Sequence, residues 1–369
     1  ITPSVWTVAA FSGPVFGGLL AEYATWRLIF LVNVPFGLLA IVFVREAFPG
    51  RRTIEERTFD SLGAVLLVVS YGALIFSVSV GGDLLAWRHP VTVAGLVGGA
   101  AVLVGFLVHE LRTRDPVLPL SLLREPVVRA CTATTFLIGT VNFWLVAFLP
   151  LMLQVTTGVG ATEAGLAILP VTASIAVTST LVGRAVVRTG HYKIWPVIGS
   201  ALFALSFFWL ARMGDDPGRA YLWTGTALQG AGMGFGTPVF MMAMQNAVAH
   251  RDVGVVSSLA MFARNTGQAF GTALAGSLLV ARLTHHLDRL LDPGALGGLS
   301  VDDVRSDVDA VRSLDAPVEL LVQDAFRFAV TDLFRVAGWV GVVSVVVALT
   351  IPQIRLRDTI DDPAGSEAV

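Results

Sequence analysis

Gly13-Pro14-Val15-Phe16-Gly17-Gly18 and, eight residues on, Trp26-Arg27-Leu28-Ile29-Phe30-Leu31-Val32-Asn33-Val34-Pro35-Phe36-Gly37 are the stretches whose reading decides the fold. Gly13 and Gly17 fall one above the other on a helix, so a neighbouring backbone can approach closely there. Pro14 removes one ladder hydrogen bond, which a membrane tolerates only where the freed carbonyl finds a protein or water partner. A kinkable, close-packed helix followed at once by a second apolar helix is a hinge between spanning segments.

The rest of the chain agrees. Hydrophobic residues make up 54% of the 369 positions and charged residues 14%, against about 25% charged in a soluble domain. Mean hydropathy is +0.74. Apolar runs of about 18–25 residues recur, each long enough to cross roughly 30 Å of hydrocarbon. This composition predicts an all-α membrane protein. A net charge of −2 gives no electrostatic footprint for a nucleic-acid partner. The single Cys131 cannot form an intrachain disulfide. Ile1-Thr2-Pro3 leads into an apolar helix without a basic segment ahead of it.

Hydropathy predicts ten spans near 3–20, 27–44, 61–80, 91–108, 131–154, 163–187, 194–211, 220–246, 254–281 and 330–351. Connections after the even-numbered spans, with the C-terminal tail, carry fourteen Lys and Arg; the short connections on the other face carry four. Positive-inside therefore puts the first group and the C-terminus in the cytoplasm. The chain then divides into two helices (1–44), a cytoplasmic linker (45–60), two further helices (61–108), a second linker (109–130), a six-helix bundle (131–354) with a long outer loop at 282–329, and a tail (355–369). The loop is rich in Arg and Asp and reads as solvated, with one short amphipathic helix.

Several residues stand out against this apolar background. Arg264 lies about ten residues into its span, roughly 15 Å deep, where a charge costs at least about 2.5–3.5 kcal/mol unless it faces a cavity or a partner. The competing reading starts the span later and lets Arg264 snorkel to the interface. Asn265 is adjacent and Gln268 lies one turn on. Gly230-Ala231-Gly232-Met233-Gly234-Phe235-Gly236 lacks the glycine spacing of a phosphate loop. On a helix it gives two close-packing faces, 230/234 and 232/236, with Pro238 beyond. Gln229, Met241, Met242 and Gln245 are candidate lining residues, since Met surfaces suit varied hydrophobic ligands. Asn33, Asn142 and Gln154 are polar groups within spans that serve either as helix glue or as ligand contacts. Asp60 is placed to cap the third span. His285-His286 is an isolated pair, and His109-Glu110 lacks a second His four residues on, so neither a metal nor a cofactor nor enzymatic chemistry is expected.

The spelling of these motifs resembles the drug:proton antiporters of the major facilitator superfamily, in the branch with fourteen helices. The hinge Gly13, Pro14, Gly17 and Gly18 resembles the antiporter motif of its fifth helix. Trp26, Arg27, Phe30, Asn33, Pro35 and Gly37 are similar to its sixth-helix signature. Phe59-Asp60-Ser61-Leu62-Gly63, Asp115-Pro116-x-Leu118-Pro119-Leu120, Leu149-Pro150-Leu151-x-x-Gln154 with Ala164-Gly165-Leu166-x-x-Leu169-Pro170, and Arg264-Asn265-Thr266-Gly267-x-x-x-Gly271 continue the match in register. Gly183, Arg184, Arg188, Gly190 and Lys193 resemble a degenerate copy of the superfamily's cytoplasmic loop motif; plain positive-inside anchoring would use the same residues.

The resemblance implies export of drugs or other hydrophobic or cationic small molecules, exchanged for protons by alternating access, in the plasma membrane of a bacterium. It also implies that the chain begins at the fifth helix, so that it would not transport by itself. No predicted span has a carboxylate near its centre, so the proton site is expected upstream of residue 1. Two other readings remain open: export of an endogenous metabolite or antibiotic, and a non-transporting membrane sensor or interaction protein that uses the 282–329 loop.

Overall fold

The computed structural model describes residues 26–47, 60–81, 87–113, 116–118, 120–215, 217–291, 311 and 314–353. The predicted span 3–20, with Gly13, Pro14, Gly17 and Gly18, lies outside the described residues, as do most of the first linker and nearly all of the tail. Contacts divide the chain into two units, 1–59 and 60–369. In the first, α1 (Trp26–Ala47) runs through Pro35 without a break and carries Trp26, Arg27, Asn33 and Gly37.

The second unit begins with α2 (Ser61–Val80) and α3 (Pro90–Glu110). Asp60 starts α2 as expected: its Oδ1 accepts from the Gly63 amide at 2.8 Å, which satisfies one of the free donors of a helix N-terminus. Pro90 sits in the first turn of α3, where its missing N–H costs nothing. The pair packs through small residues. Ser70 and Ser77 are buried and bond back to Leu67 O (3.0 Å) and Ala73 O (2.7 Å), and Gly99 abuts Leu74. The outer faces show Val65, Val68 and Val97, a surface that would aggregate in water and matches hydrocarbon.

Seven further α-helices follow among the described residues. They are α4 (Pro126–Thr157), the short α5 (Ala161–Leu166) continued as α6 (Leu169–Thr189), α7 (Ile194–Leu210), α8 (Arg219–Asn246), α9 (Val253–Leu290) and α10 (Ala316–Leu349). Their core is aromatic, with Trp144, Phe203, Phe207, Phe326 and Phe334 fully buried. Phe207 of α7 meets Phe334 of α10 at 5.8 Å between centroids. Tyr71 of α2 docks edge-on against Phe270 of α9 at 5.4 Å.

Two boundaries differ from the sequence reading. The span expected as one helix over 163–187 is broken at 167–168, where Ala167 and Ile168 donate to Ala164 O and Gly165 O in tight turns. Pro170 has no N–H to give to Leu166, so an unbroken helix would orphan that carbonyl. The connection expected over 282–329 is shorter, because α9 continues to Leu290 and α10 starts at Ala316 rather than near 330. Pairing explains why charged segments are helical here. Asp332 gathers Arg335 (2.6 Å), His286 (3.1 Å) and Arg282 (3.9 Å), and Arg327 bonds Asp215 (2.5 Å) and Asp324 (2.8 Å).

Five described helical stretches are long and apolar enough to cross a membrane: 61–80, 90–110, 126–157, 162–189 and 316–349. α8 and α9 are outside that group despite their 28 and 38 residues. They hold the glycines, amides and the arginine, and with α4 they shape the interior described next.

Candidate functional site

Glycines decide how closely these helices meet. A Cβ on Gly139 of α4 would lie 2.6 Å from the carbonyl oxygen of Arg264, and Gly267 and Gly271 of α9 press on the α4 backbone at Phe136 and Thr140. Trp144 locks this crossing by donating its indole N–H to Gly271 O at 2.8 Å. The two glycine faces of α8 behave as the spacing predicts. Gly230 and Gly234 abut α6 at Val171 and Ile175, while Gly232 faces Gly199 and Phe203 of α7.

Beside that crossing a hollow of about 50 Å³ lies between α4, α8 and α9, open on one side. α4 contributes Thr135, Ile138, Gly139 and Asn142. α8 supplies Met233, Thr237, Phe240 and Met241. α9 adds Ala260, Met261, Arg264 and Gln268. Apart from the adjacent pairs Ile138/Gly139, Phe240/Met241 and Ala260/Met261, the spacings are three or four residues, so each set is one stripe of a helix.

Arg264 is the one charged side chain in this lining. It is the twelfth residue of α9, roughly 17 Å from the helix start. Its Nε is shielded from solvent and has no hydrogen-bond partner, and the same holds for Thr135 Oγ1. Among the described residues no carboxylate pairs with Arg264.

Of the other sequence candidates, Asn142, Met241 and Gln268 also line the hollow. Gln229 is buried behind it: Nε2 donates to Asn142 O at 3.3 Å, and Oε1 is left without a partner. The rest have other surroundings. Gln245 Nε2 donates to Ser257 Oγ at 2.9 Å and ties α8 to α9. Gln154 donates to Pro150 O within α4 at 3.3 Å. Met242 packs against the core, and Asn265 is exposed on another side of α9. Sequence reasoning missed Thr135, Ile138, Met233, Thr237, Phe240 and Met261; the stripe 135, 138, 139, 142 is the periodic signal that would have found the α4 wall.

At one end of the bundle Gly190 ends α6 with φ +67°, the left-handed conformation that favours glycine. The following turn grips the segment after α10. Tyr192 donates to Pro352 O at 2.8 Å, Lys193 N–H to Gln353 Oε1 at 3.1 Å, and Gln353 Nε2 to Gly190 O at 3.2 Å. Gly183, Arg184 and Arg188 are exposed here.

The α2–α3 pair has a polar latch. His109 Nε2 lies 3.0 Å from both oxygens of Asp60, and Glu110, buried, accepts from Leu118 N–H at 3.2 Å. The Gly63 amide first, and then His109, hold the Asp60 carboxyl below its ordinary range.

Residues 3–272 match the family model described as Major Facilitator Superfamily. Over 367 residues the chain is 34% identical to an uncharacterized MFS-type transporter of Mycobacterium tuberculosis (strain ATCC 25618 / H37Rv), covering 97% of this chain and 52% of that protein. The multidrug transporter protein MdtP of Bacillus subtilis (strain 168) is 28% identical over 291 residues, 79% of this chain and 53% of its own. Among solved structures, a bacterial homolog of the human lysosomal transporter Spinster, inward-facing and occupied, aligns with a TM-score of 0.51 at 15% identity, over 80% of this chain and 67% of that one. Identity that low speaks to the fold alone. The chain spans about half the length of these curated relatives. The match along most of the sequence and the helical architecture agree, and the chain belongs to the Major Facilitator Superfamily of membrane transporters.

Proposed function

We propose that the protein exports apolar small molecules across a cell membrane by alternating access, and that the hollow between α4, α8 and α9 is one wall of the translocation path. The observation that carries this is the composition of that wall: three helices bring an apolar lining, two unpartnered polar donors and a few further polar groups to one place. That is the chemistry of a small-molecule site. Relatives named as a multidrug transporter and as efflux pumps support export as the direction.

Positive-inside supports a cytoplasmic C-terminus, with the α6–α7 turn on the same side. In this reading α2 and α3 are an accessory pair docked on α9, and the 131–354 region is one rocking bundle. Proton exchange is the proposed driving force, and α1 is the last helix of the N-terminal bundle.

Expression of the full-length protein in a bacterial host stripped of its own efflux pumps tests this. Lowered accumulation of a fluorescent apolar dye, restored by a protonophore, is the expected result. Equal accumulation with and without the protein, together with no dye movement in proteoliposomes under an imposed pH gradient, would sink the export reading.

A further inference from the structure

The sign of the hollow points to its ligand. We propose that it takes a molecule with an oxyanion, a carboxylate or sulfonate, on an apolar body, and that Arg264 and Thr135 receive the anionic end. This rests on the export reading for its biological setting, but not for its chemistry.

Arg264 Nε and Thr135 Oγ1 stand on different helices, line the same hollow, and are both shielded from water without a partner. Unmade hydrogen bonds in a shielded place are costly, and a charged group makes the deficit larger. Both groups can donate, so the deficit is relieved by an acceptor. A guanidinium selects among acceptors for a planar oxyanion, which it meets with two parallel bonds.

The chain supplies no such acceptor among the described residues, although it does so for Arg282 near the far end of the same helix. Arg264 also cannot withdraw by a shift of its backbone, since its carbonyl is pressed against Gly139 and the crossing is locked by Trp144. The remaining wall is apolar and pliant, with Met233, Met241 and Phe240 on α8. A cationic ligand would enter this wall against the fixed positive charge of Arg264. The cationic substrates that the sequence resemblance implies are therefore disfavoured at this wall, and an apolar anion is favoured.

The test is equilibrium binding to the full-length protein in phosphatidylcholine nanodiscs, using three radiolabelled probes of one shape: biphenyl-4-carboxylate, its primary amide, and the corresponding trimethylammonium compound. The carboxylate is expected to bind at least about tenfold more tightly than either of the others, a difference of about 1.4 kcal/mol. Arg264→Gln should remove that preference, and Arg264→Lys should restore part of it. Thr135→Val, a change of one hydroxyl for a methyl group, should weaken the carboxylate about threefold and keeps the test decisive if the Arg264 variants fail to fold. Loss of the preference on adding phosphatidylglycerol to the nanodiscs would uphold the oxyanion and assign it to a lipid headgroup. Equal binding of all three probes, tightest binding of the ammonium compound, or a preference untouched by Arg264→Gln and Thr135→Val would overturn the proposal. A carboxylate preference without any efflux would leave this inference standing and sink the export reading alone. Efflux of the ammonium compound with no carboxylate preference would do the reverse.

Discussion

Two arginines on α9 live in opposite surroundings. Arg282, near the far end, shares Asp332 of α10 with His286 and Arg335. Arg264, five turns earlier, faces an apolar hollow with its Nε unpartnered. At Arg282 the chain provides a carboxylate. Where the charge lines the hollow, it provides none among the described residues. A guanidinium left unsatisfied inside the bundle is an energetic cost that a purely structural residue would not retain, because leucine or methionine would fill the same volume without it.

The contrast can be broken from several directions. Gly271→Leu should have the largest effect. It forces α4 and α9 apart at Thr140 and displaces the residue 271 carbonyl that accepts from Trp144, an overpacking worth about 3 kcal/mol or more. Loss of folded yield in size-exclusion chromatography would show it, and an unchanged melting temperature would mean that the crossing does not fix Arg264. Gln268→Glu comes next, because it places a carboxylate one turn from Arg264 on the same face. If the missing partner is what makes the hollow receptive, anion binding falls about tenfold, or about 1.4 kcal/mol, with thermal stability kept or raised. Asp332→Asn makes the converse change at the paired end. Arg282 and Arg335 are about half exposed there, so the loss should be only about 1 kcal/mol, read as a lower melting temperature with ligand binding unaltered.

The mildest effect concerns the latch at Asp60. Its carboxyl titrates below the ordinary value because Gly63 and His109 stabilise the charged form. Stability from that contact is therefore complete above the unfolded value of about 3.9 and is lost as pH falls through the lowered folded value. Asp60→Ala should melt earlier than the parent at neutral pH, and the gap should close in that acidic window. A gap independent of pH would show that the charge on Asp60 contributes nothing.

Much of the fold could be read from the sequence because membrane helices announce themselves. α2 was placed to the residue, since Asp60 caps it and Gly81 follows Val80. The start of α10 was misplaced for a physical reason. Glu319, Asp324 and Arg327 read as solvated loop, but Val322, Phe326 and Ala329 between them are buried at helical spacing and Arg327 pairs with Asp215 and Asp324. Pro170 was visible, but its consequence for the 163–187 span was not drawn. In the site, Arg264, Gln268, Asn142 and Met241 stood out because polar or thioether groups are uncommon in apolar runs. Ile138 and Phe240 did not, because an all-apolar helix shows no periodic contrast between the side facing a hollow and the side facing lipid.

The length of α9 has a mechanical meaning. Its 38 residues make a rod of about 57 Å, nearly twice the thickness of hydrocarbon, and Asp332 fastens its overhanging end to α10. A tilt of about 10° about its midpoint, modest for a membrane helix, carries each end of such a rod roughly 5 Å while barely displacing its middle. The overhang is thus a pointer on a dial: a spectroscopic label near Arg289 would register small rotations of the bundle that a label beside Arg264 would not resolve.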